Sequence, residues 1–235
     1  MVNGPALPTP SRVEAPPPGD GESVRYTLSA DLVTLAEDRQ PEAEAIRTIR
    51  THVVARHIKD GRRGLAVCAP ADGAGCSFTA SNLAVALAQV GISTLLIDGD
   101  MRNPAVEEFI RPQDTPRGLR HCISPDADVS ATECIHGDVL PNLSVLYSGG
   151  HADNAQELLA GEPFRQLIER CLRDYEFTVV DTPPTKQCAD ARRIGTIIGY
   201  ALIVARSRVT LTSEVASLAG KLQEDGVKVV GTVLN

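Results

Sequence analysis

A glycine-rich segment joins an apolar run to a helical pattern and reads Ala71-Asp72-Gly73-Ala74-Gly75-Cys76-Ser77-Phe78. A loop of this kind points backbone N–H groups and the positive end of a helix dipole at an anion. Ser77 stands where the hydroxyl of a phosphate-binding loop would hold Mg²⁺, although Pro70 and Cys76 replace the first glycine and the lysine of that motif. Alone, the segment also fits an ordinary turn between a strand and a helix, because such turns favour glycine and serine too.

Carboxylates follow two other apolar runs. Asp98 and Asp100 end one of them, and Asp181 ends another, just before Thr182-Pro183-Pro184. Two carboxylates one residue apart can reach a metal directly or through water, and Asp181 matches the metal-supporting aspartate of phosphate-binding-loop enzymes. Each acidic segment alone could be a solvated turn. Three such segments in order are rarely accidental, and together they indicate a site for a nucleotide and Mg²⁺.

The elements that must position these residues alternate along the chain. Apolar runs at 65–68, 94–97, 142–146, 177–180, 201–205 and 227–234 alternate with helical patterns, the clearest of them at 77–90, 155–173 and 212–224. Strands that are apolar on both faces and alternate with helices predict an α/β fold, a doubly wound parallel sheet with helices on both faces. Ligands bind beyond the carboxyl ends of such strands, where the three segments fall.

The chain before this region divides into two parts. Residues 1–24 are rich in Pro and Gly, which predicts a disordered tail. Residues 25–63 are expected to form a helical segment, with an apolar stripe between Glu42 and Lys59 made by Ile46, Ile49, Val53 and Val54. Residues 64–235 are then the nucleotide-binding domain.

Composition excludes several other classes of protein. The 235 residues carry a net charge of −7 and 3% aromatic residues without tryptophan, which disfavours generic nucleic-acid binding and base-stacking platforms. The six cysteines have no zinc-site spacing and are expected to be reduced thiols of a cytoplasmic protein. No apolar stretch is long enough to span a bilayer, so any membrane association is expected to come through a partner.

The segments together resemble the bacterial tyrosine kinases, the cytoplasmic autokinase domains or subunits of polysaccharide co-polymerase systems. These belong to the MinD/ParA-like group of P-loop ATPases. The resemblance covers about residues 40–235 and is carried by Ser77-Phe78 with 81–84, Leu95–Arg102 with Asn103-Pro104, Asp181–Pro184 with Asp190-Ala191, Gly118-Leu119, Gly149, 157–159 and 231–235. Glu44, Arg47 and Arg50, spaced three apart, are similar to the helix motif through which family members pack into rings.

The resemblance implies a binding site for ATP and Mg²⁺. Ser77, Asp98 and Asp181 would surround the metal together with Asp100, and Asp98 or Asp100 would assist removal of the tyrosine proton. The residues implied to bind the nucleotide are Gly73, Ala74, Gly75, Cys76, Ser77, Phe78 and Arg102. The implied partners are a membrane co-polymerase that sets the chain length of capsule or exopolysaccharide and further copies of the chain in a ring, with no nucleic acid.

Two departures from the family pattern keep alternatives open. The neutral Cys76 cannot supply the charge of the family lysine, a loss expected to cost roughly 10²–10³-fold in rate, unless Lys186 or Arg102 compensates. The printed sequence carries no tyrosine-rich run of the kind that family members phosphorylate, so Tyr26 is expected to be the most accessible candidate acceptor. The chain is therefore predicted to be a tyrosine autokinase, with a catalytically impaired pseudo-kinase scaffold and a ParA/MinD-type partitioning ATPase as alternatives.

Overall fold

The computed structural model describes residues 26–235, so the predicted tail at 1–24 lies outside the described residues. The strands are β1 (Thr27–Leu28), β2 (Gly64–Cys68), β3 (Thr94–Asp98), β4 (Ile110–Arg111), β5 (His136–Leu140), β6 (Leu143–Leu146), β7 (Phe177–Asp181), β8 (Tyr200–Ala205) and β9 (Lys228–Leu234). The helices are α1 (Gln40–Arg56), α2 (Cys76–Ala88), α3 (Val106–Phe109), α4 (Leu119–Cys122), α5 (Ala131–Cys134), α6 (Ala155–Ala160), α7 (Glu162–Asp174), α8 (Asp190–Ile198) and α9 (Thr212–Glu224), with a 3₁₀ turn at Ile58–Asp60.

Seven strands form one sheet in the order β5-β6-β3-β7-β2-β8-β9. Neighbouring strands run parallel, except that β5 is antiparallel to β6. Strands β2, β3 and β7 are buried over their whole length, as continuous apolar runs require. The predicted α/β fold with a parallel central sheet is confirmed.

Helices cover both faces of this sheet. Alternate residues of β2 belong to different apolar clusters, with Ala66 and Cys68 in the cluster that includes α4 to α9. Leu65 and Val67 belong to the cluster that includes α1 to α3. Because side chains alternate across a strand, these two clusters are the two buried faces of one sheet.

The helix α1 packs directly on α2. Its buried residues Ala43 and Ile46 meet Ala86 of α2, and Val53 joins the core between α2 and the sheet. The predicted apolar stripe is therefore the buried face of this helix. Gly61, with a φ of 76°, follows the 3₁₀ turn after α1 and leads into β2.

The long helix predicted at 155–173 is wrong, because the chain forms two helices, α6 and α7, divided at Gly161. Gly161 is extended, with φ of −72° and ψ of 154°. Pro163 has no N–H to continue the α6 ladder and fits the first turn of a new helix instead. The guanidinium of Arg193 donates to the carbonyls of Leu159 and Ala160, at 2.9 and 2.8 Å, and satisfies the end of α6.

Sequence reasoning also missed β5 and the two-stranded pair of β1 with β4. In β5 only Val139 is buried, so this edge strand contains no apolar run to mark it. Strands β1 and β4 have two residues each and pair antiparallel, which is too short for any periodic pattern.

Candidate nucleotide-binding site

The glycine-rich loop lies between β2 and α2, at the carboxyl edge of the sheet. Gly73 and Gly75 have φ values of 68° and 94°, a left-handed conformation that glycine adopts without steric cost. The helix α2 begins at Cys76, directly after this turn. The first N–H groups of a helix have no partner within the helix, so the loop and the first turn of α2 form a cradle for an anion.

Strand register brings the two main carboxylates together beneath this loop. Asp98 is the direct neighbour of Asp181 in the pairing of β3 with β7, and both side chains are fully buried. One oxygen of Asp98 accepts from the amide of Asp100 at 3.1 Å, and the other accepts from the amides of Ala105 and Val106 at 3.2 and 3.1 Å. Burial, and next the charge of Asp181, raise the pKa of Asp98.

Asp181 is the unusual member of this pair. Neither of its carboxylate oxygens has a hydrogen-bond partner among the described residues. Burial raises its pKa to about 7, and the nearby Ser77 hydroxyl opposes the shift without reaching hydrogen-bonding geometry. A buried carboxylate is costly unless a cation or hydrogen bonds compensate it. Beside a phosphate-type loop and a serine hydroxyl, this arrangement suits a hard divalent cation such as Mg²⁺.

Asp100 and Gly99 complete the end of β3. One oxygen of Asp100 accepts from the amides of Arg102 and Asn103 at 3.0 and 2.8 Å, and burial raises its pKa against those bonds. The amide of Gly99 donates to the carbonyl of Asp181 at 3.0 Å. A Cβ at Gly99 would lie 2.6 Å from that oxygen, so glycine is needed for the close approach of the two strand ends.

A cleft of about 270 Å³ opens above these carboxylates. It is lined by residues 71–78 of the loop, and across from them by Asp100, Asn103, Ala105, Glu108, Phe109, Thr182 and Pro184, with Ala69 at the end of β2. The structure thus brings together the predicted residues from Gly73 to Phe78 and Asp100 around one cleft. Asp98 and Asp181 are fully buried and do not line it.

The side chain of Arg102 points away from the cleft. Its Nε donates to a carboxylate oxygen of Asp190 at 2.8 Å, and Asp190 is 2% exposed. Arg102 is not among the residues that line the cleft. Lys186, the other cation expected to compensate for the missing lysine, forms an ion pair with Glu214 of α9. Both positive charges are therefore engaged away from the loop.

Cys76 stands as a neutral thiol at the start of α2. Burial, and next the charge of Asp181, raise the pKa of this thiol well above its usual range. The positive end of a helix favours a thiolate, but here desolvation and the neighbouring carboxylate outweigh it. Cys76 supplies no charge of either sign to the loop.

Two residues at this edge were missed by sequence reasoning, Arg206 after β8 and Asn235 after β9. The side-chain Nδ2 of Asn235 donates to the carbonyl of Ala74 at 3.1 Å, and Arg206 Nη1 donates to the carbonyl of Gly73 at 3.4 Å. Both residues stand at the ends of apolar runs, a signal that was used for the aspartates and not for them. Asn235 also closes the 231–235 segment of the family resemblance, but that segment had no role assigned to it.

Residues 26–235 contain no group of three or more His, Cys, Asp or Glu side chains that could hold a metal ion.

Comparison with known proteins decides the family. The AAA_31 family model, described as an AAA domain, matches residues 63–207. A tyrosine-protein kinase named CapB from Staphylococcus aureus is 32% identical over 193 residues, which cover 82% of this chain and 83% of CapB. The chain belongs to the family of bacterial tyrosine-protein kinases. The predicted resemblance is thereby confirmed.

Two further comparisons define the extent of this kinase-family match. The crystal structure of the chimerical protein CapA2B2 superposes with a TM-score of 0.78 at 29% identity, covering 90% of this chain and 92% of that one. The tyrosine-protein kinase Wzc of Salmonella typhi is 29% identical over 211 residues. The match covers 90% of this chain but 29% of Wzc, so it corresponds to one part of that longer kinase.

The tyrosines of this kinase-family chain are packed into the fold. Tyr147 is fully buried, and Tyr26, Tyr175 and Tyr200 are partly buried. The hydroxyl of Tyr26, the acceptor expected to be most accessible, lies 3.3 Å from Nδ1 of His136, and burial raises the pKa of this tyrosine. Tyr26 is therefore a packed residue and not part of an open segment.

None of the helices within residues 26–235 combines the length and the apolar character needed to span a membrane.

Proposed function

We propose that the chain is an ATP-binding tyrosine autokinase-like subunit that regulates the polymerisation or export of capsular or exopolysaccharide together with a membrane co-polymerase. The observation that carries this proposal is Asp181, a buried carboxylate beside a glycine-rich loop and Ser77 that has no hydrogen-bond partner within residues 26–235. The names of the relatives support the reaction class, since CapB and Wzc are both named tyrosine-protein kinases.

The geometry supports different roles for the loop and for the three aspartates. Backbone amides from Gly73 to Phe78 would hold the phosphates, and Ser77 with Asp98 and Asp181 would hold Mg²⁺. When bound, Mg²⁺ supplies positive charge to the transferring phosphoryl group.

Asp100 is the better placed of the two candidate bases for the tyrosine proton. It lines the cleft, whereas Asp98 is fully buried and accepts from three backbone amides. A general base must reach the proton that it removes. We therefore assign proton removal to Asp100 and metal support to Asp98.

The test is transfer of phosphate from radiolabelled ATP in the presence of the partner's cytosolic segment. We expect transfer to tyrosine that needs Mg²⁺ and is lost in Asp100→Asn, while Arg165→Gln on the far helix α7 retains it. Transfer that persists unchanged in Asp100→Asn would contradict the assigned base.

One observation favours the pseudo-kinase alternative. Among residues 26–235, no lysine or arginine lines the cleft, so its lining does not supply the charge that normally stabilises phosphoryl transfer. If transfer is absent but the chain still assembles, the kinase assignment fails and the scaffold remains.

The proposed location is cytoplasmic and peripheral, at the inner face of the plasma membrane through the partner. The proposed homo-oligomer ring uses Glu44, Arg47 and Arg50 on the outer face of α1. Arg47 lies 3.4 Å from Glu44 within the same helix, and exposed pairs of this kind contribute only a few tenths of a kcal/mol. Both arginines are therefore available for a neighbour's carboxylates at little cost.

A further inference from the structure

Arg206 is the cationic side chain that contacts the glycine-rich loop. Its Nη1 donates to the carbonyl of Gly73 at 3.4 Å. We propose that Arg206 supplies to a bound triphosphate the positive charge that Cys76 cannot provide. This inference rests on the proposed binding of ATP at the loop, and it concerns which residue completes that site.

The cleft needs a positive charge from outside its own lining. In the described part of the chain, its lining residues include Asp72, Asp100 and Glu108, but no lysine, arginine or histidine. Asp98 and Asp181 add carboxylates close behind them. Since Mg-ATP is still an anion, this surface repels the ligand that its backbone amides attract, unless a cation is added.

The other cations near the cleft are engaged. Arg102 forms a charge-assisted hydrogen bond with Asp190, which is 2% exposed. Moving Arg102 to the nucleotide would leave that buried carboxylate unpaired, which is strongly unfavourable. Lys186 forms an exposed ion pair with Glu214 on α9, and this contact, although weak, would have to break before Lys186 could turn toward the loop.

Arg206, in contrast, has a fixed backbone and an uncommitted head group. Its amide donates to the hydroxyl of Thr210 at 2.8 Å, and its carbonyl accepts from the amide of Thr210 at 2.9 Å. The next residue, Ser207, donates to the carbonyl of Asn235 at 2.7 Å. The turn after β8 is thus tied to the end of β9, beside the loop.

The guanidinium of Arg206 is exposed and has no carboxylate within ion-pair distance among residues 26–235. Its contact with Gly73 is a long one, so little is lost when the head group turns toward phosphate oxygens. Arginine presents a planar fork of N–H donors that matches two phosphate oxygens at once. Arg206 is therefore a binding residue on the phosphates, and no bond to it forms or breaks.

Arg208 provides a matched control in the same turn. It is also an exposed arginine, but it makes no hydrogen bond or ion pair within the described part of the chain. Arg206→Gln and Arg208→Gln therefore remove the same charge from the same turn, and of the two side chains only that of Arg206 contacts the loop.

The experiment is calorimetric titration of the full chain with Mg-ATP, for both variants in the native and the Cys76→Lys backgrounds. We expect Arg206→Gln to weaken binding by about 10- to 100-fold, as for the loss of a hydrogen bond to a charged group, and Arg208→Gln to change it less than about 3-fold. In Cys76→Lys the effect of Arg206→Gln should shrink, because the lysine supplies the same charge. Thermal melting without nucleotide should be the same for both variants.

The outcomes separate this inference from the function on which it rests. If the native chain binds Mg-ATP and Arg206→Gln binds as tightly as Arg208→Gln, the role of Arg206 is refuted and nucleotide binding stands. If Arg206→Gln weakens binding only because it melts earlier, its role is structural and the inference also fails. If neither the native chain nor Cys76→Lys binds Mg-ATP, the proposed function and this inference fail together.

Discussion

At the residue scale, the candidate site contains buried carboxylates that lower the stability of the folded protein. Asp181 is fully buried without a hydrogen-bond partner among the described residues, next to the equally buried Asp98. Such a group lowers the stability of the empty protein. A cost of this kind is typical of residues retained for binding or catalysis.

Replacing Asp181 by Asn should stabilise the protein in the absence of nucleotide. At pH 8, above the pKa of about 7 that burial gives this carboxyl, the substitution removes a buried charge. We expect the free energy of unfolding to rise by about 1–3 kcal/mol, measured by urea denaturation. Mg-ATP should no longer raise the melting temperature of this variant.

Asp190→Asn is the control for that substitution. Asp190 is also buried, but it is paired with Arg102 at 2.8 Å. Its replacement should lower the free energy of unfolding, because Arg102 loses its partner. Two variants that changed stability in the same direction would contradict the unpaired state of Asp181.

At the element scale, the site depends on how closely the ends of β3 and β7 approach. Gly99 follows β3, and its amide donates to the carbonyl of Asp181 at the end of β7. The absence of a side chain at Gly99 lets the two ends meet. This contact holds together the strand ends that carry Asp98 and Asp181, the two carboxylates proposed to support the metal.

Gly99→Ala should destabilise the protein and weaken Mg-ATP binding together. Its Cβ would lie 2.6 Å from the carbonyl oxygen of Asp181, and overpacking of this kind costs about 1–3 kcal/mol. The matched control is Gly220→Ala in α9, where a Cβ meets nothing within 4 Å. That variant should gain about 0.5–1 kcal/mol and bind Mg-ATP normally, as judged by denaturation and calorimetry. Equal behaviour of the two variants would rule out the tight approach.

The outer face of α1 leads to a prediction about assembly. Replacing both Arg47 and Arg50 by Ala should reduce the mass measured by light scattering to that of one chain, because the neighbour's carboxylates lose their partners. The control replaces Arg165 and Arg170 on α7, which pair within their own helix at 2.5 and 3.2 Å. A mass unaffected by the α1 substitutions would refute their role in a ring.

At the scale of the whole molecule, the order of strands in the sheet determines which site residues can be predicted from the sequence. The aspartates at the ends of β3 and β7 could be predicted, because continuous apolar runs mark buried parallel strands and their ends carry ligand sites. Arg206 could not be placed near the loop, because its position depends on β8 lying beside β2. No local pattern encodes that neighbour.

The engagement of Arg102 with Asp190 was hidden for a similar reason. The two residues are 88 positions apart, and they meet only because α8 begins near the end of β3. The division of α6 from α7 was different, since Gly161 and Pro163 were visible in the sequence. In that case the apolar pattern continues through both helices, so it predicted one helix although the chain breaks at Gly161.

Two regions of the molecule, the cleft at the carboxyl edge of the sheet and helix α1, together explain its proposed role. The carboxyl edge of the sheet carries the loop and Asp100 around one cleft, with Asp98 and Asp181 buried behind them and Arg206 beside the loop. Helix α1, which carries Arg47 and Arg50, packs on α2. Nucleotide binding at the start of α2 can therefore act on the helix that carries the proposed assembly surface. Coupling between the cleft and the assembly surface on α1 requires first that a nucleotide binds in the cleft.

Calorimetric titration with Mg-ATP tests that requirement most directly, with the native chain and Cys76→Lys measured side by side. We expect the native chain to bind Mg-ATP saturably and to lose that binding in EDTA. In Cys76→Lys, where the lysine charge is restored, we expect Mg-ATP to bind about 10²-fold more tightly. Absence of saturable heat from both proteins in the presence of Mg²⁺ would contradict both expectations.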